Sequence, residues 1–399
     1  MRRESPNRRG IKLGVVANEF FDLRLGRMGG FGWAARQVAR CFQEEPSLGV
    51  EVVFLTNASG VGNGRPETTV HGTRLVSFNR GRLDNFRRLR AERLDLLLGI
   101  DYRPNYRFFY RSLPRTPLVN WVRDPRTPED VAEVKSLRFP EAGAPQPEGV
   151  DPIDCTSLAR VVQMSRLVSR PVLFATPAPH LAAKCEGTYG VKKSELFFLP
   201  NIIDLHRGAV VKSARPRVVF LGRLDPCKRP WLFAKLAEQF PHVEFLFLGQ
   251  AHFESGLARA GEGVPTNVRF MGHVGEREKA RALSSAWALI NTSIHEGLAI
   301  SFLEALACET PILSCQNPGG VVSRFGIHAG DFGGAGLEAL PQLAAGLRRL
   351  LGDEGLRARL GREGRSWVGE THSRARFLAA FRDLLRACVG RGLMTGDET

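Results

Sequence analysis

The sequence lacks any long hydrophobic run. No stretch reaches the roughly 18 apolar residues that a membrane-spanning helix requires, although 43% of the 399 residues are hydrophobic. The basic opening, MRRESPNRRG, leads into a strand-like run and not into the apolar core and cleavage site of a signal peptide. We therefore expect a cytoplasmic protein without a spanning helix.

Cysteine is scarce as well, and one well-known fingerprint is missing. The seven cysteines are scattered, with no C-x-x-C pair, which fits a reducing compartment and argues against a structural zinc site. The dinucleotide fingerprint G-x-G-x-x-G is absent, which argues against a nicotinamide-dependent oxidoreductase. Acidic residues are outnumbered, because 56 lysines and arginines stand against 41 acids and give a net charge of +15.

The positive charge is densest between Arg74 and Arg115, where 11 arginines stand among 4 acidic residues. This excess predicts an anionic partner such as a lipid surface, a phosphorylated acceptor or nucleic acid; the alternative is a merely solvated surface. No nucleic-acid recognition motif is visible, so we favour peripheral docking on the inner face of an anionic membrane. The aromatic residues that lie among the arginines and would suit such a boundary are Phe78, Phe86, Tyr102, Tyr106, Phe108, Phe109 and Tyr110.

At 399 residues, the chain is too long for one ordinary domain, and two are expected. Short apolar runs, such as 11–17 and 218–221, alternate with stretches of helical periodicity. This alternation is typical of α/β domains in which a parallel sheet is covered on both faces. The polar, basic stretch 205–217 is interpreted as the linker between the domains.

The stretch 291–310, NTSIHEGLAISFLEALACET, organises the second half of the chain. It follows an apolar, strand-like run, turns around Glu296 and continues as a predicted helix over 300–308. Glu304 lies eight positions after Glu296. The backbone N–H groups of residues 298–301 lie at the helix start, where they favour an anion. The stretch therefore combines N–H groups for a diphosphate with acceptors for sugar hydroxyls, as a nucleotide sugar needs.

The order of residues in this stretch resembles the Glu-x7-Glu motif of retaining glycosyltransferases of the GT-B fold, family 4. Three other segments agree with it: residues 222–228 match the pattern G-R-L-x-x-x-K, 200–204 resemble P-N-G-V-D, and 267–272 resemble N-V-x-F-x-G. The resemblance implies an α/β protein of the GT-B fold, with two Rossmann-like domains that face each other across a cleft.

The resemblance also implies the domain boundaries and the reaction. Residues 1–205 would form the N-terminal acceptor domain and 206–372 the C-terminal nucleotide-sugar donor domain, while the last helix, about 373–399, would cross back onto the first domain. The reaction would move a sugar from a nucleoside diphosphate sugar, a UDP- or GDP-sugar, to a hydroxyl of a glycan, lipid-linked or other acceptor. The anomeric configuration would be retained, and no metal or other cofactor would take part.

Each charged residue of the motifs receives a role from the resemblance. Arg223 and Lys228 would bind the diphosphate and stabilise its departure, which replaces the metal that other transferases use. Glu296 would accept hydrogen bonds from the donor sugar, and Glu304 from the ribose. The other donor-binding residues implied are Gly29, Gly30, Gly222, Gly272, His273, Gly297, Leu298, Ala299, Ile300 and Ser301.

The sequence departs from the family at the end of the predicted strand 117–122. Many members carry a His there, near the donor sugar, whereas this chain has Arg123 and Asp124. We expect one of these two residues to take that place on the acceptor side. The alternatives within the fold are a sugar-nucleotide epimerase or a phosphorylase, and the non-enzymatic alternative is a nucleic-acid-binding protein.

Overall fold

The computed structural model describes residues 10–22, 25, 29–58, 67–140, 156–206, 208–250 and 264–389. These residues form two compact units, each built on its own sheet. The first unit takes its described residues from 10–125, 156–202 and 377–389, and the second takes them from 126–140 and 203–376. The prediction of an α/β protein with two parallel-sheet domains is confirmed.

An eight-stranded sheet forms the centre of the first unit. Its strands are Ile11–Val16 (β1), Val50–Thr56 (β2), Glu67–Val70 (β3), Thr73–Ser77 (β4), Leu96–Ile100 (β5), Leu118–Trp121 (β6), Val172–Thr176 (β7) and Leu196–Phe198 (β8). They lie in the order β3-β4-β2-β1-β5-β6-β7-β8, and all pairs are parallel except β3 with β4. The chain therefore reverses its direction of travel across the sheet between β1 and β5.

A six-stranded sheet forms the centre of the second unit. Its strands are Arg217–Leu221 (β9), Glu244–Leu248 (β10), Val268–Phe270 (β11), Ala288–Asn291 (β12), Ile312–Ser314 (β13) and Gly326–His328 (β14). The order is β11-β10-β9-β12-β13-β14, and every pair is parallel. The reversal in this sheet falls between β9 and β12.

Many of the helices bury an apolar stripe. In the first of them, Ala34, Val38 and Phe42 are buried at a spacing of four residues, which is one face of a helix. Among the described helices, none is both long and apolar enough to cross a bilayer. The helices are Gly30–Gln43 (α1), Arg82–Ala91 (α2), Arg107–Ser112 (α3), Pro128–Lys135 (α4), Thr156–Leu167 (α5), Leu181–Tyr189 (α6), Pro230–Glu238 (α7), Glu276–Ser285 (α8), Ile300–Ala307 (α9), Val321–Phe325 (α10), Leu340–Gly352 (α11), Glu354–Thr371 (α12) and Arg374–Val389 (α13).

Aromatic side chains fill the core of each unit. In the first, Phe377 and Phe381 of α13 pack on Phe42 of α1, with the rings of Phe42 and Phe381 5.0 Å apart. In the second, Phe247 of β10 contacts Phe233 of α7, with ring centroids 4.7 Å apart. Edge-to-face contacts of this kind stabilise a core by more than the burial of their apolar area alone. Each sheet is therefore a rigid support for the loops at its edge.

Most of the aromatic residues among the arginines are core residues, which corrects our interpretation of them as membrane-facing. Phe78, Tyr102, Tyr106, Phe109 and Tyr110 are all buried. They pack on one another behind the sheet, as the edge-to-face pair of Phe78 and Phe109 illustrates with a ring distance of 5.3 Å. Their hydrophobic area is already used inside the protein, and Phe86 is the large aromatic residue of this stretch that stays exposed.

Candidate active site

The predicted site residues of the second unit lie at the carboxyl edge of its sheet. Arg223 follows β9 and Glu296 follows β12, and these two strands are neighbours although β10 and β11 separate them in sequence. Open parallel sheets bind ligands at this edge, where the chain reverses direction across the sheet. The topology therefore brings the two predicted motifs together at the position where a ligand site is expected.

Lys228 and Glu296 form an ion pair at this edge. The Lys228 Nζ lies 2.6 Å from Glu296 Oε1, and the Glu296 side chain is only 8% exposed. Ser293 Oγ and Asn291 Nδ2 donate to the same oxygen at 2.6 and 3.0 Å. Burial alone would raise the pKa of Glu296, but the charge of Lys228 and these hydrogen bonds outweigh it and lower the pKa. Glu296 is therefore held as a carboxylate.

A buried arginine fixes the turn that carries Lys228. Arg229 is 0% exposed and has a left-handed backbone, with φ of 44°. Its guanidinium donates to the carbonyls of Thr292 and Ser293 at 2.7 and 2.9 Å, and Thr292 Oγ1 donates back to the carbonyl of Lys228 at 2.7 Å. These bonds tie the turn after β9 to the turn after β12. Sequence reasoning missed Arg229, because a basic residue in a polar turn is normally solvated.

The other two charged residues of the motifs have partners outside the predicted set. Arg223 is exposed and pairs with Asp225, with Nε and Oδ2 2.9 Å apart. Glu304 on α9 pairs with Lys279 on α8, with Oε1 and Nζ 2.5 Å apart. Lys279 was not predicted and adds a cation to this edge.

Three glycines end the neighbouring strands β9, β10 and β11. Gly222 and Gly272 were predicted, and Gly249 was not. Gly249 has φ of +149°, and a Cβ there would lie 1.8 Å from the carbonyl oxygen of Gly222. Its N–H donates to the carbonyl of Gly272 at 2.8 Å. The close backbone contacts require glycine at 249 and leave this part of the edge without bulky side chains, next to His273.

The start of α9 offers backbone N–H groups beside Glu296. Residue Ala299 precedes the helix in an extended conformation, and no described side chain caps it. Gly297, Leu298 and Ala299 are buried, while Ile300 and Ser301 are half-buried. A helix start of this kind suits an anion, as predicted from the sequence.

In the first unit, the predicted glycines lie at the start of α1. Gly29 is the residue before the helix and Gly30 is its first residue. The carboxylate of Glu19 accepts hydrogen bonds from the N–H groups of Phe31 and Gly32 at 3.1 and 3.0 Å. A Cβ at Gly29 would lie 2.7 Å from this carboxylate. The helix start thus binds an anionic group of the protein itself, and Glu19 is a residue that sequence reasoning missed.

Arg123 and Asp124 follow β6, and Arg123 belongs to a buried polar cluster. Its guanidinium stacks 4.4 Å from the centre of the Trp121 ring and donates to Asn201 Oδ1 at 2.6 Å. Burial lowers the pKa of Arg123 to about 10. The Nε and Nη1 atoms of Arg123 are buried and have no partner among the described residues. Such buried donors are rare in native proteins, so these two atoms can still donate to a polar ligand.

Asp101 belongs to the same cluster and was not predicted. It follows β5, is 1% exposed and has φ of 56°. Its Oδ1 accepts from the N–H of Arg123 at 3.3 Å. Its buried Oδ2 has no hydrogen-bond partner among the described residues and lies 3.8 Å from Arg103 Nη2. Burial raises the pKa of Asp101 to about 6. Strained, buried and incompletely bonded residues of this kind are concentrated at functional sites.

One group of described residues could hold a metal ion. Potential ligand atoms of Asp130, Glu133 and His295 lie within 4.8 Å of one another. Asp130 Oδ2 is used at the start of α4, where it accepts from the N–H of Thr127 at 2.9 Å. His295 Nδ1 lies 3.6 Å from Asp130 Oδ1. The pair is explained by local structure, and the group carries no step of the chemistry below.

Comparisons with known proteins agree with this geometry. Residues 203–367 match the family described as Glycosyl transferases group 1, and a sequence search of curated proteins gave no match. Sucrose-phosphate synthase from Thermosynechococcus elongatus has a similar structure, with a TM-score of 0.71 and 15% identity over 95% of this chain and 99% of that one.

Two further structures are similar over almost the whole chain. Anabaena HepE in complex with UDP-glucose has a TM-score of 0.64 and 15% identity, over 94% of this chain and 100% of that one. WaaG, a glycosyltransferase involved in lipopolysaccharide biosynthesis, has a TM-score of 0.62 and 16% identity, over 96% and 100%. At these identities the likeness establishes the fold, which is GT-B as predicted.

Proposed function

We propose that this chain, whose residues 203–367 match the family described as Glycosyl transferases group 1, is a retaining glycosyltransferase. It takes a sugar from a UDP- or GDP-sugar and transfers it to a hydroxyl of a glycan, lipid-linked or other acceptor. The observation that carries the proposal is the Lys228–Glu296 pair, which lies at the reversal point of a parallel sheet beside the uncapped start of α9.

The roles follow from the chemistry at this edge. Arg223 and Lys228 bind the diphosphate and stabilise the charge that develops as the bond from the sugar to the diphosphate breaks. Glu296, held as a carboxylate, accepts hydrogen bonds from the hydroxyls of the donor sugar. Glu304 accepts from the ribose. The N–H groups of residues 298–301 and the glycine-lined edge contact the phosphates.

The bond from the acceptor oxygen to the sugar forms on the face from which the diphosphate leaves. The acceptor proton passes to a diphosphate oxygen, so no protein nucleophile is required. Glu296 positions the sugar and does not form a covalent intermediate. Arg123 or Asp124 takes the place of the family's His on the acceptor side. The buried Arg123 guanidinium, whose Nε and Nη1 have no partner among the described residues, supports this assignment.

The proposal is tested by the products formed from UDP-glucose, UDP-galactose and GDP-mannose, each with and without a panel of glycan acceptors. A transferase releases the nucleoside diphosphate and places the sugar, with its anomeric configuration retained, on an acceptor. An epimerase would change the sugar nucleotide without any acceptor, and a phosphorylase would require inorganic phosphate and yield a sugar 1-phosphate. Either of those outcomes would overturn the proposal.

A further inference from the structure

Helix α2, Arg82–Ala91, presents an unusual outer face. Its inner face is formed by Asn85 and Leu89, which are buried. The opposite face carries Leu83, Phe86, Arg87 and Arg90, at the spacing i, i+3, i+4 and i+7 that makes one stripe of a helix. Leu83 is 71% exposed and Phe86 is 36% exposed. Along this face, two large apolar side chains are therefore followed by two arginines on a surface that points to solvent.

The surroundings of this stripe are strongly basic. Arg80, Arg82 and Arg93 flank it and are exposed. Most of the neighbouring carboxylates are already paired with other cations. Glu67 contacts Arg74 and Arg88 at 3.4 Å each, and the nearly buried Glu92 pairs with Arg74 and with Lys12. Asp84 is the exposed carboxylate that remains on α2 itself. Among the described residues, the neighbourhood of the stripe therefore neutralises its positive charge only in part.

We propose that the outer face of α2 docks on an anionic lipid bilayer. Leu83 and Phe86 enter the boundary between headgroups and acyl chains, and the arginines at 80, 82, 87, 90 and 93 contact lipid phosphates. This combination of apolar and basic side chains on one helix face is typical of interfacial helices, and each basic residue near an anionic surface adds attraction. A nucleic acid would use the arginines but would give Leu83 no apolar environment.

The proposal goes beyond the transferase reaction and does not rest on it. It also narrows our membrane hypothesis to helix α2. Most of the aromatic side chains that suggested it are buried, whereas Phe86 stays exposed and Leu83, beside it on α2, was not recognised from the sequence. In the present proposal, the membrane is contacted by helix α2 and by the five arginines at 80, 82, 87, 90 and 93.

Co-sedimentation of the full chain with vesicles tests the docking. The vesicles contain phosphatidylcholine alone or phosphatidylcholine mixed with phosphatidylglycerol. We expect binding to the mixed vesicles, weaker binding at high salt and little binding to neutral ones. Arg87→Glu with Arg90→Glu should weaken binding by about tenfold or more, because two attractions become repulsions. Leu83→Ser with Phe86→Ser should also weaken binding, and this double variant should still bind vesicles more weakly than the wild type at low salt.

A matched control changes the charge elsewhere. Arg349→Glu with Arg382→Glu makes the same charge change at two exposed positions of α11 and α13, and it should bind vesicles like the wild type. Equal losses in both double variants would overturn the proposal in favour of attraction by net charge alone. Duplex DNA that binds more tightly than mixed vesicles, with no effect of Leu83→Ser and Phe86→Ser, would overturn it in favour of a nucleic acid. Transferase activity in solution should be the same in all these variants.

Discussion

The contact between Lys228 and Glu296 joins two motifs that are 68 positions apart in the sequence. Both residues could be predicted, because each belongs to a recognisable pattern of residue types. Their pairing could not, since it depends on the order of the strands and on the hydrogen bonds from Asn291 and Ser293. The pairing places the positive charge meant for a diphosphate directly beside the carboxylate meant for a sugar.

Replacing Glu296 by Gln should lower turnover by about 100-fold or more, the cost of removing one preorganised charged contact from a transition state. Affinity for the free nucleoside diphosphate should change little, because that ligand has no sugar. Steady-state rates and calorimetric affinities for the same protein samples measure both effects. Glu304→Gln is the matched variant and should weaken nucleotide binding. An equal loss of nucleotide affinity in the two variants would contradict the separate roles.

Asp101 should make stability fall with rising pH. Burial raises the pKa of its carboxyl from 3.8 to about 6, so the folded state binds a proton that the unfolded state has lost between these values. Stability is therefore highest below this window and falls as the pH rises through it. In Asp101→Asn this fall should be absent. The unfolding free energy of the variant minus that of the wild type should therefore increase by about 2–3 kcal/mol from pH 4 to pH 7.

Urea unfolding of both proteins across this pH range measures the difference. Glu296 provides the contrast, because its pKa is lowered in the folded state. Its contribution to stability is present above the unfolded pKa and is lost as the pH falls through the folded pKa. The same pH dependence in Asp101→Asn and in the wild type would show that Asp101 is not the group responsible.

Three residues at the strand ends of the two sheets had weak signals in the sequence. Arg229 lies beside Lys228 in a polar turn, and its burial depends on carbonyl groups at 292, 293 and 332. Gly249 ends a strand like many glycines, and its need for glycine appears only when the carbonyl of Gly222 lies 1.8 Å from a Cβ. Asp101 follows an apolar strand, where a solvated acid is the usual expectation. In each case the deciding partner is distant in sequence.

At the scale of elements, strands and helices with strong apolar patterns were predictable. The buried strand β9 and the helix α9, predicted at 218–221 and 300–308, lie within about two residues of those bounds. The hairpin of β3 and β4 was missed, because β3 is four residues long and largely polar. Helix α4 was missed although Thr127 and Asp130 form a capping box at its start. Its weak apolar periodicity gave no signal of a helix.

The hydrogen bonds of Arg229 join the turn after β9 to the turn after β12 and form a clamp between them. This clamp should be essential for stability. Arg229→Ala would leave the carbonyls of Thr292, Ser293 and Phe332 without their donor in a buried place. Breaking a buried charged network costs about 3–5 kcal/mol, so the urea midpoint should fall sharply. Arg229→Lys should restore little, because its single nitrogen cannot take the place of the three guanidinium nitrogens that donate to separate carbonyls. Arg269→Ala, at an exposed surface pair with Glu244, should change stability by about 0.5 kcal/mol or less. Similar stability of the two alanine variants would contradict the clamp.

At the scale of the whole molecule, the proposed chemistry needs no metal. Arg223, Lys228 and Lys279 supply positive charge at the edge where the diphosphate is expected. Transfer should therefore continue in EDTA at the rate seen with Mg²⁺, as measured by release of the nucleoside diphosphate. Activity that disappears with EDTA and returns with Mg²⁺ or Mn²⁺ would contradict this account of the leaving group.

The central claim is that the carboxyl edge of the second sheet binds a nucleoside diphosphate. Calorimetric titration of UDP and GDP into the wild type and into Arg223→Ala with Lys228→Ala tests it most directly. Because each charge-assisted hydrogen bond contributes about 1.5–3 kcal/mol, we predict that one of the two nucleotides binds the wild type and that the double variant, still folded, binds it about 100-fold more weakly or not at all. Equal affinity in the two proteins would contradict the claim.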